Sequence, residues 1–418
     1  MTSAYARGAC PGLSAPMQTG DGLLVRLLPV APIALGAFSR LCAAARAHGN
    51  GTMEISARGS LQVRGLTSAS APLFADAVSM LGIEISEGLP VITDPLADQA
   101  SDQFDAEALA RELRHAAASA ALPLAPKVSV IVDSGGRLHL DALAADIRLQ
   151  AVTTADSPLL HVALAGDGAS ATLLGMIAPD EACEAVLRLL ALIAAHGREA
   201  RAADVLKSGG IAAFQDAIRT RIALHSPVPH RLRAEMVGTH SLKDDLYALG
   251  VGLAFGHAEA DTLRALTEIA RVHGALRARP APDRTLLLRP LKRTEVKPLR
   301  DEARRLGFPV DHADARRRIV ACPGAPACAS GLIASREIAA ALARDLQSSG
   351  DGIALHVSGC AKGCAHQASA PVAIVGTALG AGIVRNGTAR AIPAAYADPA
   401  DLAEEIDRII DARETVNA

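Results

Sequence analysis

The sequence predicts an α+β protein that runs twice through one plan, each half opening on a small strand, helix, strand unit and continuing into a larger α/β region. Three observations predict it. GDGLLVRLLPV over 20–30, a helical stretch near 34–48 and MEISARGSLQVRGL over 53–66 have counterparts later: a glycine-punctuated strand over 247–255, a helix over 258–273 with apolar spacing of three and four, and ALRARPAPDRTLLLRPL from 275. The closing strand of each unit carries arginines. At 418 residues, with 50% hydrophobic and 21% charged residues, the chain is long and apolar enough for two or three domains, each with its own core.

The remaining elements follow in order. The first unit leads into helices near 70–81 and 105–120, strands over 127–133 and 159–165, and a helix near 180–196. That last helix, EACEAVLRLLALIAAH, carries Glu181, Glu184 and Arg188 and is too short and too charged to cross a bilayer, so it reads as an amphipathic core helix. Residues 197–235, with Gly209, Gly210 and the SPVPH stretch, read as a partly helical connection between the halves. Beyond the second unit come helices near 297–306 and 331–345, strands near 353–358 and 371–376, and a closing helix over 398–412. A formal charge of −2 and 2% aromatic residues give no field to recruit nucleic acid or an anionic membrane, and few surfaces to stack bases. No apolar segment precedes Gly8, so a secretory signal is not expected and the cytoplasm is.

Four of the seven cysteines fall late and in pairs. Cys322 and Cys328 enclose five residues, Cys360 and Cys364 enclose three, and 31 residues separate the pairs. In a reducing compartment such a grouping reads as one metal site, and four soft thiolates suit zinc or an iron-sulfur cluster rather than magnesium or calcium. The surroundings favour iron: Pro323, Gly324 and Pro326 tighten the first loop, Gly359 and Gly363 let backbone approach a bulky inorganic core, and neither pair has the two-residue gap usual in zinc ribbons. Cys10 reads as a turn thiol, and Cys42 and Cys183 as buried thiols on helices.

The repeat strands carry Arg26, Arg58 and Arg64 in the first copy and Arg279, Arg284 and Arg289 in the second, followed by Lys292, Arg293 and Lys297. Guanidinium forks bind carboxylates, and a pseudo-twofold pairing of the units would set both arginine strands against one acidic ligand. Arg58 and Arg64, six apart, are expected to share a strand face, as are Arg58 and Gln62, whereas Arg284 and Arg289 are expected on opposite faces, with Arg284 towards the ligand. Lys127 opens an apolar run, Asp21 between Gly20 and Gly22 reads as a turn residue, and His366 as a packing or surface residue.

In these features the chain resembles the nitrite and sulfite reductase superfamily over nearly its whole length. The wording of RGACPGL at 7–13, APMQTGDGLLVRL at 15–27, RGSLQVRGL at 58–66, ACPGAPAC at 321–328 and HVSGCAKGCAH at 356–366 is most similar to the precorrin-3B synthase family of the aerobic cobalamin pathway. The resemblance implies duplicated ferredoxin-like half-domains plus two larger α/β domains. It implies a first half-domain at 15–80, a tetrapyrrole-pocket domain without a cluster at 81–200, a connection at 201–235, a second half-domain at 236–296 and a cluster domain at 297–415. It further implies Cys322, Cys328, Cys360 and Cys364 as ligands of a [4Fe-4S] cluster, with Cys364 nearest the tetrapyrrole.

Arg26 and Arg58 match two of the arginines that gather over the haem face in the reductases, and Lys127 matches the first lysine of a Lys-x-Lys pair whose second position is Ser129. A further Arg-Asn dipeptide falls on Leu89 and Pro90. These departures weaken the case for reducing a small anion, because the missing cations would stabilise it. The function implied is oxygen-dependent conversion of precorrin-3A to precorrin-3B, with Arg26, Arg58, Arg64, Lys127 and Arg284 as carboxylate-binding residues and with O2 and an external electron donor as partners. The catalytic residues are not legible, and no spacing singles out the two histidines and carboxylate that a separate non-haem iron would need. The alternatives are a sirohaem-dependent sulfite or nitrite reductase and a non-enzymatic iron-sulfur sensor or electron carrier.

Overall fold

A computed structural model describes residues 11–99, 104–153, 158–218, 231–344, 353–398 and 401–402. Four five-stranded sheets organise them. The first joins Met17–Thr19, Gly22–Leu27, Leu61–Leu66, Thr52–Ile55 and His257–Glu259 in that spatial order; another joins Gly238–Ser241, Leu246–Gly252, Thr285–Lys292, Arg277–Ala281 and Ile33–Ala34. Both are antiparallel throughout, and each takes its last strand from the other half of the chain: His257 stands opposite Glu54, and Arg277 opposite Ala34. This exchange ties the two repeat units into one body.

Packing reinforces that tie. Helix Leu35–His48 buries Leu35, Phe38, Leu41, Cys42 and Ala45, and helix Ala260–Val272 buries Leu263, Leu266, Thr267 and Ala270, so each offers an apolar stripe at three- and four-residue spacing to the other. A single core runs from Leu23, Phe38 and Phe74 in the first unit to Leu249, Leu266 and Leu288 in the second. At roughly 1.5–3 kcal/mol for each large side chain fully buried, this shared core is what keeps the units from separating.

The two larger regions repeat one mixed topology. Val91–Thr93, Val130–Asp133 and Ala145–Thr153 run parallel, and Pro158–Gly166 and Thr172–Ile177 continue antiparallel. Ile319–Ala321, Leu355–Ser358 and Ala370–Thr377 run parallel, with Gly380–Gly387 and Ala395–Ala397 antiparallel beyond them. The duplication therefore extends past the small units.

Several expected elements differ. The strand expected over 53–66 is a hairpin of Thr52–Ile55 and Leu61–Leu66, closed by a turn in which the Ser56 amide donates to the Ser60 carbonyl at 2.9 Å and Gly59 has φ 83°. The run from 275 is likewise Arg277–Ala281 and Thr285–Lys292, with Asp283 and Arg284 left-handed between them (φ 55° and 58°). Arg58 and Arg284 thus sit at turn tips, and the alternation arguments relating them to Arg64, Gln62 and Arg289 fail. The helix expected from 297 begins at Arg293, and the run expected from 331 is helical over Ser335–Leu342 because the loop after Cys322 occupies the preceding residues. The connection includes helix Ala202–Ile218, broken at Gly210. Cys10, SPVPH at 226–230 and most of the closing helix at 398–412 lie outside the described residues.

Candidate functional site

Parallel strands send their following loops off the same sheet edge, which is how Ile319–Ala321 and Leu355–Ser358 bring the two cysteine pairs together. The Cys322 amide donates to the Val357 carbonyl at 3.2 Å, and the Gly359 amide donates to Cys322 Sγ at 3.1 Å. The Cys328 amide caps back on the Gly324 carbonyl at 2.7 Å, and the Leu332 amide donates to the Gly359 carbonyl at 2.7 Å. Gly359 serves loop-to-loop contact: a Cβ there would stand 3.0 Å from Gly324 Cα and 3.2 Å from Gly331 Cα. Its role in the structure is to let one cysteine loop lie against the other.

Cys322, Cys328 and Cys360 are half-buried and Cys364 is exposed, and all are free thiols. Burial pushes the Cys364 thiol up, and the neighbouring Cys360, Cys322 and Cys328 push it further, as expected of four sulfurs facing one space. No three of these sulfurs lie within 4.8 Å of one another. A tetrahedral zinc with Zn–S near 2.3 Å needs sulfurs about 3.8 Å apart, so this donor set is spread for something larger than one ion and fits an iron-sulfur cluster. Among the described residues, one group of three potential ligands does come that close, Asp133, His139 and Asp141. Its centre is taken by Arg231, which reaches Asp133 at 2.8 Å and Asp141 at 2.8 Å.

The first sheet braces the cysteine loops. Its outer face carries a polar row across four strands: Arg26, Gln62, Glu54 and His257 in mutual register. With the Gln62 amide nitrogen donating to Glu54 at 2.8 Å, its oxygen accepts from Arg26 Nε and Nη2 at 3.2 and 3.1 Å. Beside this row Arg64 donates to Asp21 at 3.0 and 2.8 Å and to the Ala327 carbonyl, inside the first cysteine loop, at 2.6 Å. Glu54 is 3.5 Å from Arg64 and accepts from Arg336 at 2.6 Å. Gly20 completes the dock: its amide donates to Ala327 at 3.2 Å, and a Cβ there would meet the Pro326 carbonyl oxygen at 2.5 Å. Asp21 is the expected turn residue and also the counter-ion of Arg64.

The arginines separate by the charge of their partners. Arg64, expected among the ligand-binding residues, is 4% exposed and faces two carboxylates, which places it as an internal brace between the first sheet and the first cysteine loop. Arg279 pairs with Glu107 at 2.6 Å and Arg289 with Asp98 at 2.7 Å, so each of these guanidinium groups already has a carboxylate partner. Among the described residues Arg26 is held by the neutral Gln62. Arg58 donates to the Ala144 carbonyl at 2.6 Å and Ser129 Oγ at 3.1 Å, both neutral, and burial lowers its pKa. Arg284 has no side-chain acceptor among the described residues, and burial, ahead of the opposing effect of Asp283, lowers its pKa as well. The two turn tips touch, the Asp283 amide donating to the Ala57 carbonyl at 3.1 Å, so that Arg58 leans on the first α/β region while Arg284 lies towards His356 in the second.

Lys127 is exposed in the turn before Val130–Asp133 and makes no ion pair among the described residues. Ser129, at the position of the missing lysine, is buried against Arg58. A second cation there would face a guanidinium.

Gln62, Glu54, Arg336, His257 and His356 escaped the sequence reading as site residues, except for Gln62 as a face-mate of Arg58. Gln62 and Arg64 left a signal, two polar residues at a spacing of two in an otherwise apolar strand. The histidines left none. His356 is fully buried with neither ring nitrogen hydrogen-bonded, and burial, then His366 and Arg284, hold its pKa down at about 4. His366 packs edge-on against it, with ring centroids 5.6 Å apart. His257 is likewise held at about 4, by burial and then Arg336.

Comparison with known proteins agrees with this architecture. Residues 240–306 match the nitrite/sulfite reductase ferredoxin-like half domain. A precorrin-3B synthase from Sinorhizobium sp is 36% identical over 408 residues, covering 96% of this chain and 88% of that protein. Sulfite reductase [ferredoxin] 1 of Mycolicibacterium paratuberculosis is 27% identical over 182 residues, 40% of this chain and 33% of that protein. The Mycobacterium tuberculosis NirA protein shares the fold, with a TM-score of 0.75 and 20% identity over 93% of this chain and 80% of that one.

Proposed function

Because the chain belongs to the precorrin-3B synthase family, we propose that it converts precorrin-3A to precorrin-3B in cobalamin biosynthesis, in the cytoplasm, using O2 and an external electron donor. The observation that carries this reading is the set of guanidinium groups without a carboxylate partner among the described residues, Arg26, Arg58 and Arg284, the last of them facing His356 on the strand that leads into the second cysteine pair. A macrocycle bordered by acetate and propionate groups suits such a set, since each cation gains a carboxylate in place of a weaker neutral acceptor. Lys127 is an additional carboxylate contact from the rim.

In this reading residues 15–80 and 236–296 are the paired half-domains, 81–200 the pocket wall without a cluster, 201–235 the connection and 297–415 the cluster domain. Cys322, Cys328, Cys360 and Cys364 would hold a [4Fe-4S] cluster, which when bound supplies one-electron transfer. The Gly359 amide donates to the Cys322 sulfur and helps fix its place. Arg64, through Asp21 and Ala327, fixes the first cysteine loop against the floor of the pocket. Arg26, Arg58 and Arg284 orient the substrate so that its C20 position meets the oxidant and an acetate side chain lies within reach of C1. One oxygen atom of O2 enters as the C20 hydroxyl and the other leaves as water, with two electrons and two protons from the donor, and the acetate closes as a γ-lactone.

The deciding experiment supplies the anaerobically purified protein with precorrin-3A, reductant and isotopically labelled O2. The expected product gains one labelled oxygen atom by mass spectrometry. A protein that retains a stoichiometric sirohaem spectrum, or an intact cluster with no change in substrate mass, refutes the proposal in favour of a reductase or an electron carrier.

A further inference from the structure

A cleft at the junction of the first half-domain and the first α/β region carries a cation that nothing above has used. It is an open-sided cleft enclosing about 60 Å³ between the apolar side chains of Leu28, Pro29, Val91, Ile92 and Pro280. Arg114, from helix Ala106–Ala120, enters it together with Arg58 and Arg279. Arg114 Nη2 donates to the Val91 carbonyl at 2.7 Å, but its Nε and Nη1 are both buried and have no acceptor among the described residues.

The nearby charges do not neutralise it. Glu107, the closest carboxylate in effect, is engaged by Arg279 at 2.6 Å and accepts from Thr93 at 2.9 Å. Glu84 acts on Arg114 only through space, while Arg279 and Arg111 repel it. Arg58 adds a second guanidinium held by neutral acceptors. A half-buried guanidinium with two buried, idle donors is costly unless an anion completes it. The apolar walls select for a ligand with a hydrocarbon part.

We infer that this cleft is a binding site for an organic carboxylate, with Arg114 as its anchoring residue. The cleft shares Arg58 with the reaction proposed above, but its anchor Arg114 lies on a different element from every cysteine and every substrate-binding arginine named there, and the binding of simple acids is read without that reaction. The carboxylate belongs to a free small acid or to a substrate side chain that reaches into the cleft.

The test uses the full-length protein with its native cofactor complement, at low ionic strength, titrated with butyrate, succinate or inorganic phosphate against sodium chloride of matched ionic strength. The wild type is expected to show saturable heat of binding and a saturable rise in thermal midpoint with the carboxylates. Arg114→Gln is expected to bind at least roughly tenfold more weakly, the scale of one lost charge-assisted contact. Arg114→Lys, which keeps the charge, is expected to retain part of the effect. Arg114→Met, lacking the idle donors, is expected to unfold no earlier than the unliganded wild type. Precorrin-3A protecting Arg114 from butyrate identifies the substrate side chain as the source, and simultaneous binding identifies a free acid. The inference is overturned if no carboxylate saturates, if Arg114→Gln binds as tightly as wild type, if phosphate binds as tightly as butyrate, or if Arg114→Met is strongly destabilised.

Discussion

Replacing Arg64 with methionine separates a structural brace from a substrate clamp. The guanidinium is 4% exposed and contacts Asp21 at 2.8 Å, Glu54 at 3.5 Å and the Ala327 carbonyl at 2.6 Å. Methionine fills most of the volume and removes all three contacts. Glu54 keeps Arg336 at 2.6 Å, and Asp21 keeps Thr19 Oγ at 2.8 Å and Asn50 Nδ2 at 3.1 Å, so neither carboxylate is stranded completely. The expected loss is therefore at the lower end of the ~3–5 kcal/mol typical of breaking a buried pair. Burial alone would raise the Asp21 pKa, but Arg64 outweighs it and the net shift is below 3.8. The stability gained from that depression is present above pH 3.8 and is lost as pH falls through the lower folded value, so the gap between wild type and Arg64→Met should narrow in acid. Urea denaturation across pH, with iron content measured on the same samples, reads both effects, and Asp21→Asn added to Arg64→Met should recover part of the loss. If Arg64→Met stays within about 1 kcal/mol of wild type and keeps its iron but loses tetrapyrrole binding, the brace reading is wrong.

Other expectations follow from the same contacts. Serine at Cys322, Cys328, Cys360 or Cys364 should abolish the electron paramagnetic resonance signal of a reduced cluster, whereas Cys42→Ala should not, because burial drives the Cys42 thiol up to about 12 and leaves it inert to alkylation at pH 8 in the folded protein. Gly20→Ala places a Cβ 2.5 Å from the Pro326 carbonyl oxygen and should cost ~1–3 kcal/mol while lowering iron content, read by denaturation and iron assay. Arg26→Met and Arg284→Met should leave stability within about 1 kcal/mol and weaken tetrapyrrole binding roughly tenfold or more, measured by fluorescence quenching. Asp94 is held at about 6, by burial first and then by Asp133. The stability of its neutral form is complete below pH 3.8 and lost as pH rises through about 6, so Asp94→Asn should be the more stable protein at pH 8, by up to ~3 kcal/mol, and equal to wild type below pH 4, as thermal melts will report.

The sequence by itself determined the segments and the grouping of the cysteines. Apolar residues at three- and four-residue spacing located Leu35–His48 and Ala260–Val272, and the cysteine spacing isolated four thiols, because helix periodicity and ligand clustering are short-range properties of a chain. Turns were less legible: Ser56 to Ser60 and Pro282 to Arg284 merged with their strands, since apolar strands on both sides mask a turn of three to five residues. The roles of the arginines were decided only by tertiary structure. Arg64, Arg279 and Arg289 look no different in sequence from Arg26, Arg58 and Arg284. What separates them is a partner far along the chain: Arg64 and Ala327 are 263 residues apart, Arg279 and Thr93 186, Arg289 and Asp98 191, and Arg336 and Glu54 282. An arginine's availability to a ligand depends on whether a carboxylate already neutralises it. That carboxylate is brought to it by the packing of one sheet on another, which no local pattern of residues encodes.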